Sequence, residues 1–155
     1  MSWSTIGIEE DKKGSTLTIN HSDTVAFTPA YAFFIKQVSS LIENNNALPY
    51  TYWNDKDCGI IWAEIDHKIV GMICYDKTWA LKSMPHLSIV LTAVDEDYRQ
   101  RGIHQIMNKY YELQARNLNC MAIRATVNLK NHVRLKSAEK DKLSPLMYIM
   151  VKRIK

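Results

Sequence analysis

Apolar positions along the chain change their period several times, and each change marks an element. Gly59 to Ile65 and Ile69 to Tyr75 are largely apolar and rich in β-branched residues, with the polar Asp66-His67-Lys68 between them. That pattern predicts a hairpin of two buried strands. His86 to Val94 is a third run of this kind. Beyond it, Ile103, Ile106, Met107 and Tyr110 fall at i, i+3, i+4 and i+7, the period of an amphipathic helix from Gly102 to about Asn117. A strand, Cys120 to Val127, a polar helix, Asn131 to about Lys142, and a last strand, Leu146 to Ile154, follow. Upstream, Phe33, Phe34, Val38, Leu41 and Ile42 form the apolar face of a helix ending near Asn44-Asn45-Asn46. Thr28-Pro29 reads as its N-cap and first helical position. Two short strands, Thr16 to Ile19 and Thr24 to Phe27, are expected before it, around an Asn20-His21-Ser22-Asp23 turn. The first 15 or so residues carry no clear pattern.

The resulting order is a mixed α/β (α+β) arrangement in one domain, 1–155, long enough for a substantial core. No repeat, low-complexity tract or linker divides it. No apolar run reaches membrane-spanning length, and Met1-Ser2-Trp3-Ser4 lacks the basic and apolar regions of a signal peptide. Cys58, Cys74 and Cys120 are odd in number and have no Cys-x-x-Cys spacing. Reduced thiols in a cytoplasmic protein fit them better than a disulfide frame or a zinc site, so no metal is expected.

The net charge of +4 hides an asymmetry. From Arg99 onward there are 13 Lys/Arg against 3 Asp/Glu, whereas the residues before it hold 7 against 13. A basic half can bind nucleic acid, or it can hold a polyanionic cofactor while the acidic half receives a cationic substrate. Against nucleic acid, the aromatic residues that would stack bases are not interleaved with those lysines.

The junction between the third strand run and its helix carries the candidate chemistry. It reads Val94-Asp95-Glu96-Asp97-Tyr98-Arg99-Gln100-Arg101-Gly102-Ile103-His104. The first turn of a helix leaves about four backbone N–H groups without intrahelical partners and about half a positive charge on them. A glycine there lets a ligand approach the backbone, and flanking arginines add full charges. Together these are the parts of a phosphate cradle.

This run resembles the acetyl-CoA pyrophosphate loop of the GNAT N-acetyltransferase superfamily, Gln/Arg-x-x-Gly-x-Gly/Ala, with Arg99, Gly102 and His104 in the three motif places. A second segment, from Asn131 through Ala138-Glu139-Lys140, resembles the family's Asn-x-x-Ala-Ile-x-Leu-Tyr-Glu-Lys-x-Gly-Phe. The resemblance covers roughly Val25 to the C-terminus. It implies a central mixed, mostly antiparallel sheet flanked by helices. That sheet splays between the family's fourth and fifth strands, which lie just before the loop and just after its helix. It implies acetyl-CoA as cosubstrate, with Arg99, Gln100, Arg101, Gly102, Ile103 and His104 around the pyrophosphate. Asn131 would meet the pantetheine arm, and the strand edge at Ala93-Val94 the oxyanion. The sequence departs from the pattern at His104, where a small residue is usual, and at Ala138, where a tyrosine often protonates the thiolate. Lys142-Leu143 replaces the usual Gly-Phe.

Acetyl transfer to an amine needs a base, because a free alkylamine has a pKa near 10. Several relatives place a glutamate six residues before the valine position, which here is Ser88. Strand alternation puts His86 on the same face as Ser88 and Val90, so His86 is the first candidate base. Glu64, alternating with Trp62 and Ile60 as a lone acid on an apolar face, is the second. Tyr148, or Ser137 beside the lost tyrosine, is a candidate proton donor to the thiolate. Tyr50, Tyr52, Trp53, Asp55, Asp57, Glu64, Asp76 and Trp79 fall where the family binds its acceptor. Aromatic faces with carboxylates hold cations, so an amine-bearing, cationic acceptor is expected. The function implied is acetyl-CoA-dependent N-acetylation of a primary amine on a small-molecule or peptide acceptor. The departures motivate an alternative, a non-catalytic CoA-binding regulator or scaffold. A homodimer through the last strand or the N-terminal segment is open.

Overall fold

The computed structural model describes residues 3–43, 57–78, 80, 85–125, 132–140 and 142–143. Its elements are β1 (Trp3–Glu10), β2 (Thr16–Ser22), α1 (Tyr31–Glu43), β3 (Cys58–Ile65), β4 (Lys68–Asp76), β5 (His86–Val94), α2 (Ile103–Asn117), β6 (Ala122–Ala125) and α3 (His132–Lys140). The expected last strand, Leu146 to Ile154, lies outside the described residues.

The six strands form one sheet in sequence order. β1 to β5 are antiparallel neighbours, and β6 lies parallel to β5. Alternation along the strands sorts side chains onto two faces. Leu17, Ile19, Ile61, Ala63, Ile73 and Leu87 pack under α2 with its Ile103, Met107 and Tyr111. Cys58, Ile60, Trp62, Met72 and Cys74 pack on the opposite face with Phe34 of α1. Phe33 and Val38 join that second core, as their spacing predicts.

The N-terminal region departs from expectation in three ways. The patternless first residues form β1, an edge strand that exposes most of its residues and so shows no clean alternation. β2 continues through Asn20, His21 and Ser22 rather than turning there, because these polar groups find partners across the fold. Asn20 accepts a hydrogen bond from the Thr5 hydroxyl at 2.8 Å, and His21 Nε2 lies 2.6 Å from the Tyr75 hydroxyl. Thr24 to Phe27 is not a strand. It bends into α1, which starts at Tyr31, and the Thr28 hydroxyl donates to the Val25 carbonyl instead of capping the helix.

Two features of β5 shape the site. Its register with β4 steps from Leu91 opposite Cys74 to Ile89 opposite Tyr75, so Val90 is the extra residue of a β-bulge. The bulge inverts the alternation: Leu87 and Ile89 face α2, whereas Leu91 and Ala93 face α1 and Val94 faces α2 again. Among the described residues, β6 pairs with β5 only from His86 to Ile89.

Candidate active site

The helix α2 begins where the sequence places it. Gly102 is its N-cap at φ 79°, ψ 11°, a left-handed conformation that costs an L-residue roughly 1–2 kcal/mol and glycine almost nothing. By helix geometry the amides of Ile103, His104 and Gln105 have no partner inside α2. The Ile106 amide is the first to close onto the helix, donating to the Gly102 carbonyl at 3.1 Å.

The loop leading to Gly102 is held by its own residues. Asp95 donates its amide to the Val70 carbonyl at 2.7 Å, and its side chain accepts from the Asp97 amide at 3.0 Å, opening a single 3-10 turn, Glu96–Tyr98. Arg99 donates through Nε to the Val94 carbonyl at 3.2 Å. Lys68 and Arg101 lie 4.9 and 4.7 Å from the Tyr98 ring centroid. The Arg101 guanidinium also pairs with Asp11 at 3.3 Å, so it braces the loop rather than standing free before Gly102. Gln100 is exposed and left-handed at φ 63°.

The Asp95–Val70 bond fixes which way the β5 backbone faces. Successive residues of a strand direct their N–H and C=O to opposite edges. Asp95 and Ala93 therefore turn theirs toward β4, and Val94 and Thr92 turn theirs toward the opposite edge, the side on which β6 pairs with His86 to Ile89. Of the Ala93-Val94 pair, Val94 presents its amide to that edge, while Ala93 belongs to the β4–β5 ladder. Thr92 is a participant the sequence did not single out. The bulge aims its hydroxyl at α2, 3.3 Å from Nδ1 of His104. His104 thus leans on β5, which accommodates the bulky residue in a place where the motif has a small one.

The two candidate bases lie apart. Glu64 pairs with Ile69 near the loop end of the sheet, and its Oε1 accepts from the Trp62 indole at 2.9 Å. On β3 it is the one acid among the apolar Cys58, Ile60 and Trp62 of the α1 face, as alternation predicts. His86 opens β5 at the other end, eight residues from Val94, or roughly 25 Å along the strand. Asp57 and Asp76 are at the His86 end: Asp76 pairs with both Cys58 and Ser88. The Asp57 carbonyl accepts from the Lys77 amide at 2.7 Å, and the Asp76 carboxylate accepts from the Thr78 amide at 2.7 Å. Ala138, in the tyrosine place, is buried on α3. Asn131, Tyr148, Tyr50, Tyr52, Trp53, Asp55 and Trp79 lie outside the described residues.

A further neighbour of the loop escaped sequence reasoning. The β1–β2 turn, Asp11 to Ser15, docks on it through Asp11 and through the Lys12 amide, which donates to the Arg101 carbonyl at 3.0 Å. Asp11-Lys12-Lys13-Gly14-Ser15 has the composition of a turn, and that was the available signal. Asp11 Oδ1 accepts from the Lys13 and Ser15 amides at 2.9 and 2.8 Å. Burial opposes ionisation of this carboxylate, but the two amides and Arg101 outweigh it and hold its pKa below the ordinary value.

Comparison with known proteins agrees with this geometry. No curated protein matches the chain in sequence. Among solved structures, the chain is similar to an aminoglycoside acetyltransferase from an uncultured soil metagenomic sample, solved with sisomicin, at TM-score 0.70 and 16% identity, covering 90% of this chain and 97% of that one. It is similar to a ribosomal-protein-alanine N-acetyltransferase from Brucella melitensis biovar Abortus 2308, at TM-score 0.69 and 12% identity, covering 89% and 99%. It is also similar to the aminoglycoside N-acetyltransferase AAC(6')-Iy, solved with CoA, at TM-score 0.65 and 14% identity, covering 88% and 98%. At these identities the likeness shows the fold. The family model described as "Acetyltransferase (GNAT) family" matches residues 27–140, and acetyl-CoA is that family's cosubstrate. With a glycine-capped α2 after β5 and most of the sequence matched, the chain belongs to the GNAT acetyltransferase family.

Proposed function

We propose that the protein is an acetyl-CoA-dependent N-acetyltransferase whose acceptor is a cationic primary amine on a small molecule or peptide. The single observation that carries the reading is the junction of β5 and α2. β5 leads into a loop closed by left-handed Gly102, and the first-turn amides of α2 beyond it have no partner inside the helix. Backbone groups there suit a pyrophosphate, since the first-turn amides are already oriented toward it and the left-handed turn that Gly102 permits brings the loop to them. The residues present therefore fit the cosubstrate, which when bound supplies an acyl group activated as a thioester.

The chain's own contributions follow from where its groups point. The amides of Ile103, His104 and Gln105 hold the pyrophosphate, with Arg99 and Gln100 at its rim and Arg101 keeping the loop in shape. The Val94 amide meets the acyl carbonyl as negative charge develops on its oxygen, a role whose loss costs about a hundredfold in comparable sites. Glu64, bonded to the Trp62 indole on the α1 face near the Val94 end of the sheet, accepts the proton that the acceptor ammonium must lose. His86, roughly 25 Å from Val94 along β5, is out of reach of that proton, and it lies with Asp57 and Asp76 at the far end of the sheet. Asn131 steadies the pantetheine amides and Tyr148 returns a proton to the departing thiolate. Cytoplasmic location fits this chemistry and the thiols; among the described residues no helix is long and apolar enough to cross a membrane.

Buried Ala138 in the place of the usual tyrosine favours a second reading, a CoA-binding protein without turnover. Calorimetric titration with acetyl-CoA followed by thiol release against a panel of amines separates the two. One-to-one micromolar binding with release on some amine supports the enzyme. Binding with no release on any amine overturns it in favour of the second reading, and no binding overturns both.

A further inference from the structure

Beside the cradle lies a second cavity, about 410 Å³, which runs from Gly102 along α2 past Gln105 and Ile106. It lies within the range of about 300–1,000 Å³ found for small-molecule sites. Lys12, Arg101 and Lys140 line it, against the single carboxylate of Glu10. Lys12 comes from the β1–β2 turn and Lys140 from the last residue of α3, so three separate parts of the fold deliver cations to one place. Arg101 is already engaged by Asp11, but among the described residues neither Lys12 nor Lys140 forms an ion pair.

Lys12 is held in position before any ligand arrives. Its amide is bonded to the Arg101 carbonyl, and the turn that carries it is closed by the Asp11–Ser15 and Gly14–Asp11 backbone bonds, each 3.0 Å. Its stem lies along the open side of Gly102: a Cβ built there would come within 3.3 Å of Lys12 Cε and 3.6 Å of Cγ. The apolar stem thus packs on the glycine while the ammonium is left to the cavity. A side chain whose backbone and stem are already placed meets a ligand at less entropic cost than a free one. The cavity shares Gly102 and Gln105 with the cradle, so an anion within it adjoins one held by the first-turn amides.

We propose that Lys12 and Lys140 bind a phosphate monoester, the one at the ribose end of the cosubstrate, and that the N-terminal hairpin is therefore part of the cofactor site. The inference rests on the acetyl-CoA reading above. Lys12 precedes the family-matched segment, 27–140, so it is a contribution of this chain's own hairpin. A monoester carries close to two negative charges at neutral pH and is well matched to two point-charge donors.

The test is calorimetric titration of the full chain with coenzyme A and with 3′-dephospho-coenzyme A, for the wild type, Lys12→Ala, Lys12→Arg and Lys140→Ala. Urea midpoints establish that each variant is folded. Lys12→Ala is expected to weaken coenzyme A roughly ten- to hundredfold, the worth of one charge-assisted contact. It is expected to leave the dephospho ligand unchanged, with Lys12→Arg restoring most of the loss and Lys140→Ala behaving like Lys12→Ala. Unchanged affinity in the alanine variants, or an equal loss for both ligands, overturns the proposal while the cofactor reading stands. A wild type that binds neither ligand overturns both.

Discussion

Arg101 and Asp11 stand ninety residues apart in sequence and 3.3 Å apart in space, the guanidinium NH1 on the carboxylate Oδ2. The contact joins the phosphate-loop junction to the turn of an edge hairpin that the family-matched segment does not include. Arg101 is therefore better understood as the fastening of that hairpin than as a ligand in waiting. Because the Asp11 carboxylate is buried and held below its ordinary pKa, it favours the fold only while ionised.

The sign of the resulting pH dependence is fixed. A carboxylate whose folded pKa is depressed stabilises the fold above its unfolded pKa, near 3.9, and loses that contribution as pH falls through the folded value. Asp11→Asn is expected to lower Tm at pH 7 and to flatten the acid side of the stability profile. Chemical denaturation of wild type and variant between pH 7 and pH 3 checks it; parallel profiles would show that Asp11 carries none of the dependence.

His21 gives a second titration, at the other end of the sheet. Burial lowers its pKa, the Asp23 carboxylate opposes that shift, and Lys77 adds to it. Its Nε2 meets the Tyr75 hydroxyl at 2.6 Å, and burial holds Tyr75 protonated, so the contact joins a phenol to the imidazole. A histidine of depressed folded pKa favours the fold above its unfolded value, near 6.5, and loses that contribution as pH falls below it. Urea midpoints for wild type are expected to drop between pH 7.5 and pH 5.5 more than those of His21→Gln. Equal drops would remove His21 from the account.

Gly102→Asp introduces a carboxylate at a left-handed position facing the Lys12 stem. Asp tolerates that backbone region better than most residues, so the fold is expected to persist with a loss of about 1 kcal/mol. Negative charge on the cradle should cut affinity for coenzyme A at least tenfold, as repulsion replaces attraction there. Calorimetry on the folded variant checks this, and wild-type affinity would remove Gly102 from the site.

Glu64→Gln is expected to lower kcat about a hundredfold, the lower bound for losing a general base. The KM for acetyl-CoA should change little, because Glu64 lies on β3, away from the first turn of α2. His86→Ala is the control, and a larger effect there than at Glu64 would return the base role to His86.

Gly7→Ala tests the docking of the hairpin on α2. A Cβ at Gly7 would fall 2.1 Å from the Tyr110 hydroxyl. That hydroxyl donates to Glu9 at 2.6 Å, which with burial pushes the tyrosine up to about 12. The overlap is expected to cost about 1–3 kcal/mol, read as a lower urea midpoint with an unchanged m-value, and Tyr110→Phe should not relieve it, since the ring atoms are as close.

Local chemistry was enough to determine much of this protein. The apolar β-branched runs of β3, β4 and β5, the heptad-like spacing of Ile103, Ile106, Met107 and Tyr110, and a glycine before that helix act within a few residues of one another. Periodicity and backbone sterics thus place the strand–loop–helix junction and its Gly102 cap without reference to the rest of the chain. What depended on distant partners was decided only in the tertiary structure. β1 is an edge strand held by pairing rather than pattern. Asn20 and His21 extend β2 because Thr5 and Tyr75 satisfy them across the sheet. The extra residue at Val90 turns Thr92 and Val94 toward α2, and a bulge comes from the register between two strands, which no single strand encodes. Lys12 and Arg101 likewise acquire their places only when the hairpin and the loop meet, because the contact that fixes them spans ninety residues of chain.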